Sequence, residues 1–500
     1  MKMYLLIVAN VVLAGCVTVP GDRGSKDSIA LLQSRSGVAT DVRFDAKQES
    51  SELLQQPLDA DAAVRVALNR NAHMQALYAQ LGVAQADVYD ASRLSNPSLG
   101  FLHVTGGGES RTTWSLTQSF TELLFLGYRT RVGRSQLLQA QQRVAQSVLD
   151  LEAQIRSAYY EYVAAQSVAH LREQDDLAAQ AQADYAQRLF DAGNISELQL
   201  SREQAGASRA RVDLQAALTH AEQQQAALLT AMGLSMHDKP AFVERLEVPM
   251  QLTLDPATLE QWAAQQRVDL AALREQVKLY SAVQTHTRRW FWLSDAGLQL
   301  ERERDVDGSL LQGAGGSIGV PIFNQGTGSR LRAQAQWETA RAELQSLQLA
   351  INNDIAVQVA SLQRARQIVE EYRQRLMPLQ ERVLALSQQQ QNYMLIGAFE
   401  LLNARREVTQ TYQDYLLAVG DYWLRYVALC KTTGGKLPET VGDPHVGVSL
   451  GVEPLPGDAS MPQSETSPPD VPSKSDTDSH EHEMHMHMPM NKHGHSGDTP

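Results

Sequence analysis

The chain has 500 residues, of which 43% are hydrophobic, and its formal net charge at pH 7 is -13. This composition provides enough apolar surface for a core, and the negative charge argues against nucleic acid as a partner, because surfaces that bind nucleic acid are basic. Beyond the N-terminal leader, no predominantly apolar stretch of about 20 residues is free of charged side chains, which argues against a further transmembrane helix.

The N-terminus has the pattern of an export signal. Lys2 precedes an apolar run that ends in Leu13-Ala14-Gly15-Cys16 and is too short to remain as a spanning helix. The last four residues resemble the lipobox of bacterial lipoproteins, in which the cysteine becomes the acylated N-terminus of the mature protein. We therefore predict that Cys16 is lipidated, and Val17 in place of an aspartate favours sorting to the outer membrane. Cys430, the other cysteine, is then left without a disulfide partner and is predicted to pack in the interior.

Two strand-like hairpins come next in the predicted order of elements, one in each half of the chain. Alternating polar and apolar residues predict strands at 99–104, 113–120, 297–304 and 317–323. Turns are predicted at 106–108 and at 305–308, and the glycine-rich stretch 313–319 is interpreted as a further turn. Each strand is expected to have about eight or nine residues, slightly fewer than the nine to eleven of a membrane strand.

Long helices follow each hairpin, because apolar residues recur there at coiled-coil spacing. One helix is predicted from about Arg129 to Phe190, which would be roughly 90 Å long. In the second half, Pro378 should kink the corresponding helix. The heptad positions in the first half are Leu137, Val144, Val148, Leu151, Ile155, Ala158 and Tyr162, and those in the second half are Ile355, Leu362, Ala365, Val369, Tyr372, Leu376, Leu379, Val383, Leu386 and Tyr393.

Similar segments end both long helices, at residues 187–198 and 391–402. Each segment contains a glycine, Gly193 or Gly397, and both glycines are predicted to adopt the left-handed conformation that ends a helix. The repeated order of helix, β-hairpin, long helix, turn and shorter helix indicates an internal duplication.

The predicted fold class is therefore mainly α with a small β part, built from duplicated long coiled-coil helical hairpins and four short strands. The predicted domains are a signal peptide at 1–15, a lipid-anchored segment at 16–57, a first repeat at 58–233, a connector at 234–256, a second repeat at 257–432, a disordered linker at 433–479 and a His/Met-rich tail at 480–500. Four strands cannot close a barrel, and an open sheet edge cannot face lipid. If the hairpins enter a membrane, several copies must combine them, and three copies would supply twelve strands.

The C-terminal tail has the composition of a soft-metal ligand. Thioether and imidazole donors suit Cu(I), and by extension Ag(I), better than they suit hard cations. We predict a flexible sequestering segment without a fixed geometry, and an unspecific polar run is the alternative. The predicted ligands are His480, His482, Met484, His485, Met486, His487, Met488, Met490, His493 and His495.

Several of these segments resemble the outer-membrane efflux protein (TolC) family. The residues that carry the resemblance are those of 376–379, Tyr393, Gly397, 400–402, 404–405 and the junction 321–326. The resemblance covers about residues 58–429. It implies a homotrimer in the outer membrane, lipid-anchored, which continues as a helical tunnel across the periplasm and serves as the exit duct of a tripartite pump. The other partners would then be a periplasmic adaptor protein and an inner-membrane pump.

At the tunnel aperture, the resemblance places Glu400 and Asn403 shortly after the periplasmic turns at Gly193 and Gly397. Members of the family often have two acidic residues there, and this chain has only Glu400. A ring of three glutamates would favour cations over anions. The alternative is that Glu400 only stabilises the N-terminus of its helix.

The function predicted from the sequence is thus an outer-membrane exit duct, with copper or silver ions as cargo. The alternatives are a lipid-anchored periplasmic adaptor, a metal-binding lipoprotein, and a duct for zinc, cobalt and cadmium or for drugs. The sequence contains no Gly-x-Ser-x-Gly elbow, phosphate loop or zinc-protease pair, so we predict neither an enzyme nor a required cofactor.

Overall fold

The computed structural model describes residues 52–450, except 108, 244–245, 248, 250–251, 291–295, 321, 324, 439–440 and 442–448. The described residues fall within one compact unit, residues 1–453, and a second unit, 454–500, lies outside them. Cys16 and every predicted metal ligand of the tail therefore lie outside the described residues. The same is true of most of the predicted linker, 433–479.

The elements follow the predicted order twice. The first half contains α1 (Ala60–Arg70), α2 (Ala72–Ala91), β1 (Ser98–Gly106), β2 (Glu109–Ser119), α3 (Phe120–Asp191), α4 (Glu197–Met232) and β3 (Leu246–Glu247). The second half contains α5 (Pro256–Gln266), α6 (Val268–Trp290), β4 (Ala296–Arg304), β5 (Leu310–Ile318), α7 (Thr327–Glu371), a π-helical turn (Tyr372–Leu376), α8 (Met377–Asn392), α9 (Ala398–Thr433) and β6 (Ser449–Leu450). The predicted fold class, mainly α with four strands in one small sheet, is confirmed. The exact domain boundaries stay a prediction.

The first long helix, α3, has 72 residues and would be about 108 Å long at the usual rise per residue. It begins at Phe120, nine residues before the predicted start, directly after β2. Ser119 caps it, since its hydroxyl accepts a hydrogen bond from the backbone N–H of Glu122 at 3.4 Å. The strand therefore continues into the helix without a loop.

The second long helix is interrupted where Pro378 disturbs it. Proline has no N–H group, and its ring collides with the carbonyl of the residue four positions earlier, Gln374. The five residues Tyr372–Leu376 form a π-helical turn there, and the N–H of Met377 donates to the carbonyl of Tyr372. The predicted irregularity lies at the expected place, as a π turn within a run of helix from Thr327 to Asn392.

The four long strands form one antiparallel sheet in the order β1-β2-β4-β5, so β1 and β5 are its edges. The strands have 9, 11, 9 and 9 residues, which corrects the expected eight or nine: β2 reaches the full length of a membrane strand.

The predicted position of the last strand is wrong. We expected a strand at 317–323 after a glycine-rich turn, but β5 is Leu310–Ile318 and contains the glycines. Gly313, Gly315 and Gly316 pair with Glu301, Gln299 and Leu298 of β4. The turn predicted at 305–308 is confirmed as the connection between β4 and β5: Gly308 has φ +82°, and its N–H donates to the carbonyl of Asp305.

The core lies where the shorter elements pack around the middle of α3 and the C-terminal part of α9. Its centre is Trp423, which is fully buried and stacks on Tyr160 with ring centroids 5.2 Å apart. The indole N–H of Trp423 donates to the backbone carbonyl of Glu247 at 2.9 Å, so the polar atom of this large side chain is satisfied. Cys430 is half-buried and packs against this core, close to its predicted role.

Candidate functional sites

The sheet has one mainly apolar face and one mainly polar face, because cross-strand partners point to the same side. On the apolar face, Phe101 lies opposite Trp114, and their ring centroids are 4.7 Å apart. Leu99, Leu116, Leu298 and Leu300 share this face and are exposed. The other face is less uniform, since β1 contributes Leu102 and Val104 to it. A sheet that is apolar on one side and polar on the other has the pattern of a barrel wall between lipid and water.

The polar face contains a charged cluster that sequence reasoning missed. Arg111 contacts Glu303 at 3.1 Å and Asp305 at 3.0 Å, and the hydroxyl of Thr113 lies 3.4 Å from Glu303. The alternation Glu301-Arg302-Glu303-Arg304 carried the signal, because a period of two places the glutamates on one face and the arginines on the other.

At the far end of the helices, the first helical turn connects α3 to α4. Gly193 has φ +74°, and its N–H donates to the carbonyl of Phe190 at 2.8 Å. The N–H of Asn194 donates to the carbonyl of Leu189 at the same distance. This pair of bonds around a left-handed residue is the Schellman end of a helix, and Gly193 has its predicted conformation.

The second helical turn corrects the prediction for Gly397. Gly397 has φ -78° and ψ 159°, which is an extended conformation, and it is the N-cap of α9. The left-handed residue is Met394, with φ 58°, whose N–H donates to the carbonyl of Gln391 at 2.9 Å. Met394 therefore corresponds to Gly193, and Gly397 corresponds to Ser196, the N-cap of α4. The two glycines are not equivalent positions of the repeat.

The second turn is also the more apolar of the two. Tyr393, Met394 and Leu395 have 70%, 93% and 73% of their surface exposed. The corresponding residues of the first turn are Ala192, Gly193 and Asn194. Three adjacent exposed apolar side chains at the end of a long helical hairpin are typical of a surface that a partner covers.

Glu400 and Asn403 lie one turn apart on the exposed side of the start of α9. Glu400 is in the first helical turn, where its carboxylate is favourable near the helix N-terminus, and its N–H donates to the carbonyl of Gly397 at 3.1 Å. The structure brings both predicted aperture residues to the turn end of the helices. Their role in a pore stays a prediction.

Polar contacts hold the helices together along their length. Arg172 of α3 donates to Gln410 of α9 at 3.3 Å, which connects the two helical hairpins directly. Within the first hairpin, the amide of Gln182 hydrogen-bonds the carboxylate of Glu203. Polar contacts of this kind fix the register between helices whose surfaces are otherwise rich in alanine and glutamine.

A groove of about 570 Å³ lies beside α3, between α4 and α9. Its lining includes several alanines and the polar residues Glu161, Arg172, Asp213, His220 and Asp421. Among the described residues, no group of three or more His, Cys, Asp or Glu side chains has a geometry that could hold a metal ion.

The predicted coiled-coil stripe of the second half is buried only in part. Ile355, Leu362 and Val369 are at most 3% exposed, whereas beyond the π turn Leu379, Val383 and Leu386 are 59%, 45% and 49% exposed. These last three residues, the α8 stripe, follow the heptad spacing without a partner helix that covers them in the described part of the chain. Regarding membrane spans, none of the described helices combines the length and the apolar character needed to cross a bilayer.

Comparison with known proteins confirms the predicted resemblance. Residues 63–234 match the family model of the outer membrane efflux protein. No curated protein sequence matches the chain. The prediction that the chain is not an enzyme agrees with this family, whose members are efflux proteins.

Solved structures share the fold at low sequence identity. The Campylobacter jejuni CmeC outer membrane channel is 14% identical with a TM-score of 0.63, covering 80% of this chain and 89% of its own. The Vibrio cholerae outer membrane protein VceC is 16% identical with a TM-score of 0.62, covering 75% and 96%. CusC, whose crystal structures concern the conformational changes that accompany folding and transmembrane channel formation, is 15% identical with a TM-score of 0.60, covering 75% of this chain and 92% of its own. The chain therefore has the fold of these channels over almost their whole length.

Proposed function

We propose that this chain, whose residues 63–234 match the outer membrane efflux protein family, is the outer-membrane exit duct of a tripartite efflux pump. The observation that carries the proposal is the four-stranded sheet with open edges at β1 and β5, which continues without a loop into the long helix α3. Open edges cannot face lipid, so three copies combine their sheets into a twelve-stranded barrel. The helices then extend this barrel into the periplasm.

The α8 stripe supports the same assembly. Leu379, Val383 and Leu386 lie at positions i, i+4 and i+7 of α8 and leave a continuous apolar surface exposed on one copy. In a trimer, helices of a neighbouring copy cover such a surface. The exposed apolar turn at Tyr393, Met394 and Leu395 is the part that meets a periplasmic adaptor, and through it the inner-membrane pump.

The test is to purify the full-length protein from outer membranes in detergent, measure its mass by light scattering, and record its conductance in a planar bilayer. We expect a conducting trimer. The variant Val383→Glu/Leu386→Glu should weaken trimer assembly, because it places six charges in a trimeric apolar interface. The matched control is Gln388→Glu, an exposed position on the same helix, and it should assemble normally. A monomeric, non-conducting wild-type protein would overturn the duct.

We also propose what the duct transports and how it is anchored in the membrane. Six histidines and four methionines between residues 480 and 495 support copper or silver ions as cargo, since these donors prefer soft cations. The lipobox at 13–16 supports a lipid anchor at Cys16 in the outer membrane. Zinc, cobalt and cadmium remain the alternative cargo if the tail binds zinc as tightly as Cu(I).

A further inference from the structure

The apolar face of the sheet contains two arginines, which are unexpected on a surface that is otherwise mainly apolar. Arg302 is the cross-strand partner of Trp114, and Arg304 is the partner of Thr112, so both side chains lie on the face that contains Phe101 and Leu300. Both arginines are exposed. An arginine on a lipid-facing surface is unfavourable at the middle of a bilayer and becomes tolerable only close to the headgroups.

No described carboxylate neutralises the charge of these arginines. The neighbouring carboxylates Glu303 and Asp305 lie on the opposite face, where Arg111 binds both of them. In the part of the sheet that the structure describes, Arg302 and Arg304 form no ion pair. The arginine of the polar face is thus paired, and the two arginines of the apolar face are available to an external anion.

The residues beside Arg304 add hydrogen-bonding groups to this surface. His103, Thr112 and Arg304 lie in one row across β1, β2 and β4, on neighbouring strands about 4.8 Å apart. The imidazole Nδ1 of His103 is 2.9 Å from the hydroxyl of Thr112. One residue pair below, Arg302 has Gln312 of β5 as its other neighbour. Guanidinium, hydroxyl, imidazole and amide groups in this arrangement match the oxygens of a phosphate group.

The position along the strands sets the depth of this patch. The hairpin turns at Gly107 and at 305–309 lie at the end of the sheet away from the helices, and Arg304 is the last residue of β4. With a tilt of about 40°, the nine residues of β4 reach only about 20 Å, less than the roughly 25 Å apolar band of a membrane barrel. If the helices face the periplasm, as the proposed function requires, the arginines lie near the outer-leaflet end of the apolar band, from where their long side chains extend towards the headgroups.

We propose that Arg302 and Arg304, with His103 and Thr112, form a binding patch for the phosphate groups of the glycolipid in the outer leaflet. Three copies of the patch surround the barrel, one on each subunit. Phosphate binding at the rim draws the headgroups towards a short barrel wall and so reduces the mismatch between protein and membrane. This inference rests on the proposed function, because only a barrel in the outer membrane presents this face to such a lipid.

The test uses the full-length trimer in detergent with two probes, bisphosphorylated lipid A and the same lipid after removal of its phosphates. We expect the phosphorylated lipid to raise the Tm of the wild-type trimer by about 4 °C, and the dephosphorylated lipid to raise it much less. The variant Arg302→Gln/Arg304→Gln should lose at least half of the phosphate-dependent shift. The matched control is Arg202→Gln/Arg209→Gln, which removes two exposed arginines from α4 and should keep the full shift.

A single variant keeps the test valid if the double variant does not fold. Arg304→Gln alone, at the end of the strand, should reduce the shift in part. Equal shifts with both lipids, or an unchanged shift in Arg304→Gln and in the double variant, would overturn the patch. This outcome differs from a failure of the duct itself, because wild-type protein that forms no conducting trimer contradicts the proposed function, whereas conducting trimers without a phosphate-dependent shift contradict only this inference.

Discussion

Met394 occupies in the second helical turn the position that Gly193 occupies in the first. Their N–H groups donate to carbonyls three residues earlier, Gln391 and Phe190, at 2.9 and 2.8 Å, and both residues have a positive φ. Glycine adopts this conformation without a steric penalty, whereas methionine pays about 1 kcal/mol for it. The second turn is therefore strained where the first is not.

The first prediction concerns this strain. Met394→Gly should stabilise the protein by up to about 1 kcal/mol, because it removes a side chain from a residue in the left-handed conformation. Gly193→Ala should destabilise the protein by about 1 kcal/mol, because it adds a side chain to such a residue. Gly397→Ser should be neutral or stabilising by a few tenths of a kcal/mol, since Ser196 caps α4 at the corresponding position. Thermal unfolding of the three variants measures this order. A large destabilisation by Gly397→Ser would contradict the extended conformation of that residue.

The sequence alone could locate the helical turns but not align them. Both segments contain a glycine, and matching these identical residues shifts the repeat by three positions. The better guide is the N-cap, because Ser196 and Gly397 both belong to residue types that favour this position. The left-handed methionine carries no signal in the sequence, since methionine adopts this conformation rarely.

The strands show the same limit of sequence reasoning. β4 was predicted to within one residue of its observed bounds, whereas the prediction for β2 missed its first four residues, 109–112, and included Phe120 of α3. β5 contains Gly313, Gly315 and Gly316, which have no side chains to alternate, so its position depends on hydrogen bonds to β4 that only the structure reveals. The long helices were predictable because their apolar spacing persists over many turns. The Arg111 cluster was not, since it depends on the register between β2 and β4.

The second prediction concerns the aperture. Glu400→Gln should lower the preference of the channel for cations over anions, because a trimer would lose three carboxylates that surround one axis. Reversal potentials in a salt gradient measure this preference. The control is Glu407→Gln, an exposed carboxylate two turns further along α9, which should leave the selectivity closer to that of the wild-type protein. Unchanged selectivity in Glu400→Gln would leave Glu400 only its role at the helix N-terminus.

The third prediction follows from the environment of Cys430. Burial raises the pKa of its thiol to about 12, and the hydrogen bond with Tyr426 opposes this shift only in part. Near pH 8 only about one thiol in ten thousand is then ionised, and the thiolate is the reactive form. In the Cys16→Ser background, where Cys430 is the only thiol, alkylation by iodoacetamide should be very slow in the folded protein and fast in urea. The control is Ser208→Cys, an exposed position on α4, which should react quickly in the folded state. Equal rates at the two positions would contradict the shielding of Cys430.

The fourth prediction concerns the anchor. Cys16→Ser should abolish acylation and leave the helical content unchanged, because Cys16 precedes the folded repeats by more than forty residues. Metabolic labelling with palmitate measures the first effect and circular dichroism the second. Continued labelling of the variant would mean that the lipobox resemblance at 13–16 is misleading.

The fifth prediction concerns the tail. Deleting residues 480–500 should lower tolerance to copper or silver and leave trimer assembly unchanged, because α9, the last long helix, ends at Thr433 and the predicted ligands begin 47 residues later. A flexible linker of about this length has an end-to-end distance of roughly 40 Å, so the tail could collect ions beside the tunnel.

The matched control replaces the four methionines from Met484 to Met490 with leucine and keeps every histidine. If the thioethers select soft ions, this control should lose affinity for Cu(I) and Ag(I) but keep its weaker binding of Zn(II). Titrating the full-length protein and both variants with the three ions measures this difference. Zinc binding as tight as that of Cu(I) in the wild-type protein would exclude the soft-metal assignment and favour export of zinc, cobalt and cadmium.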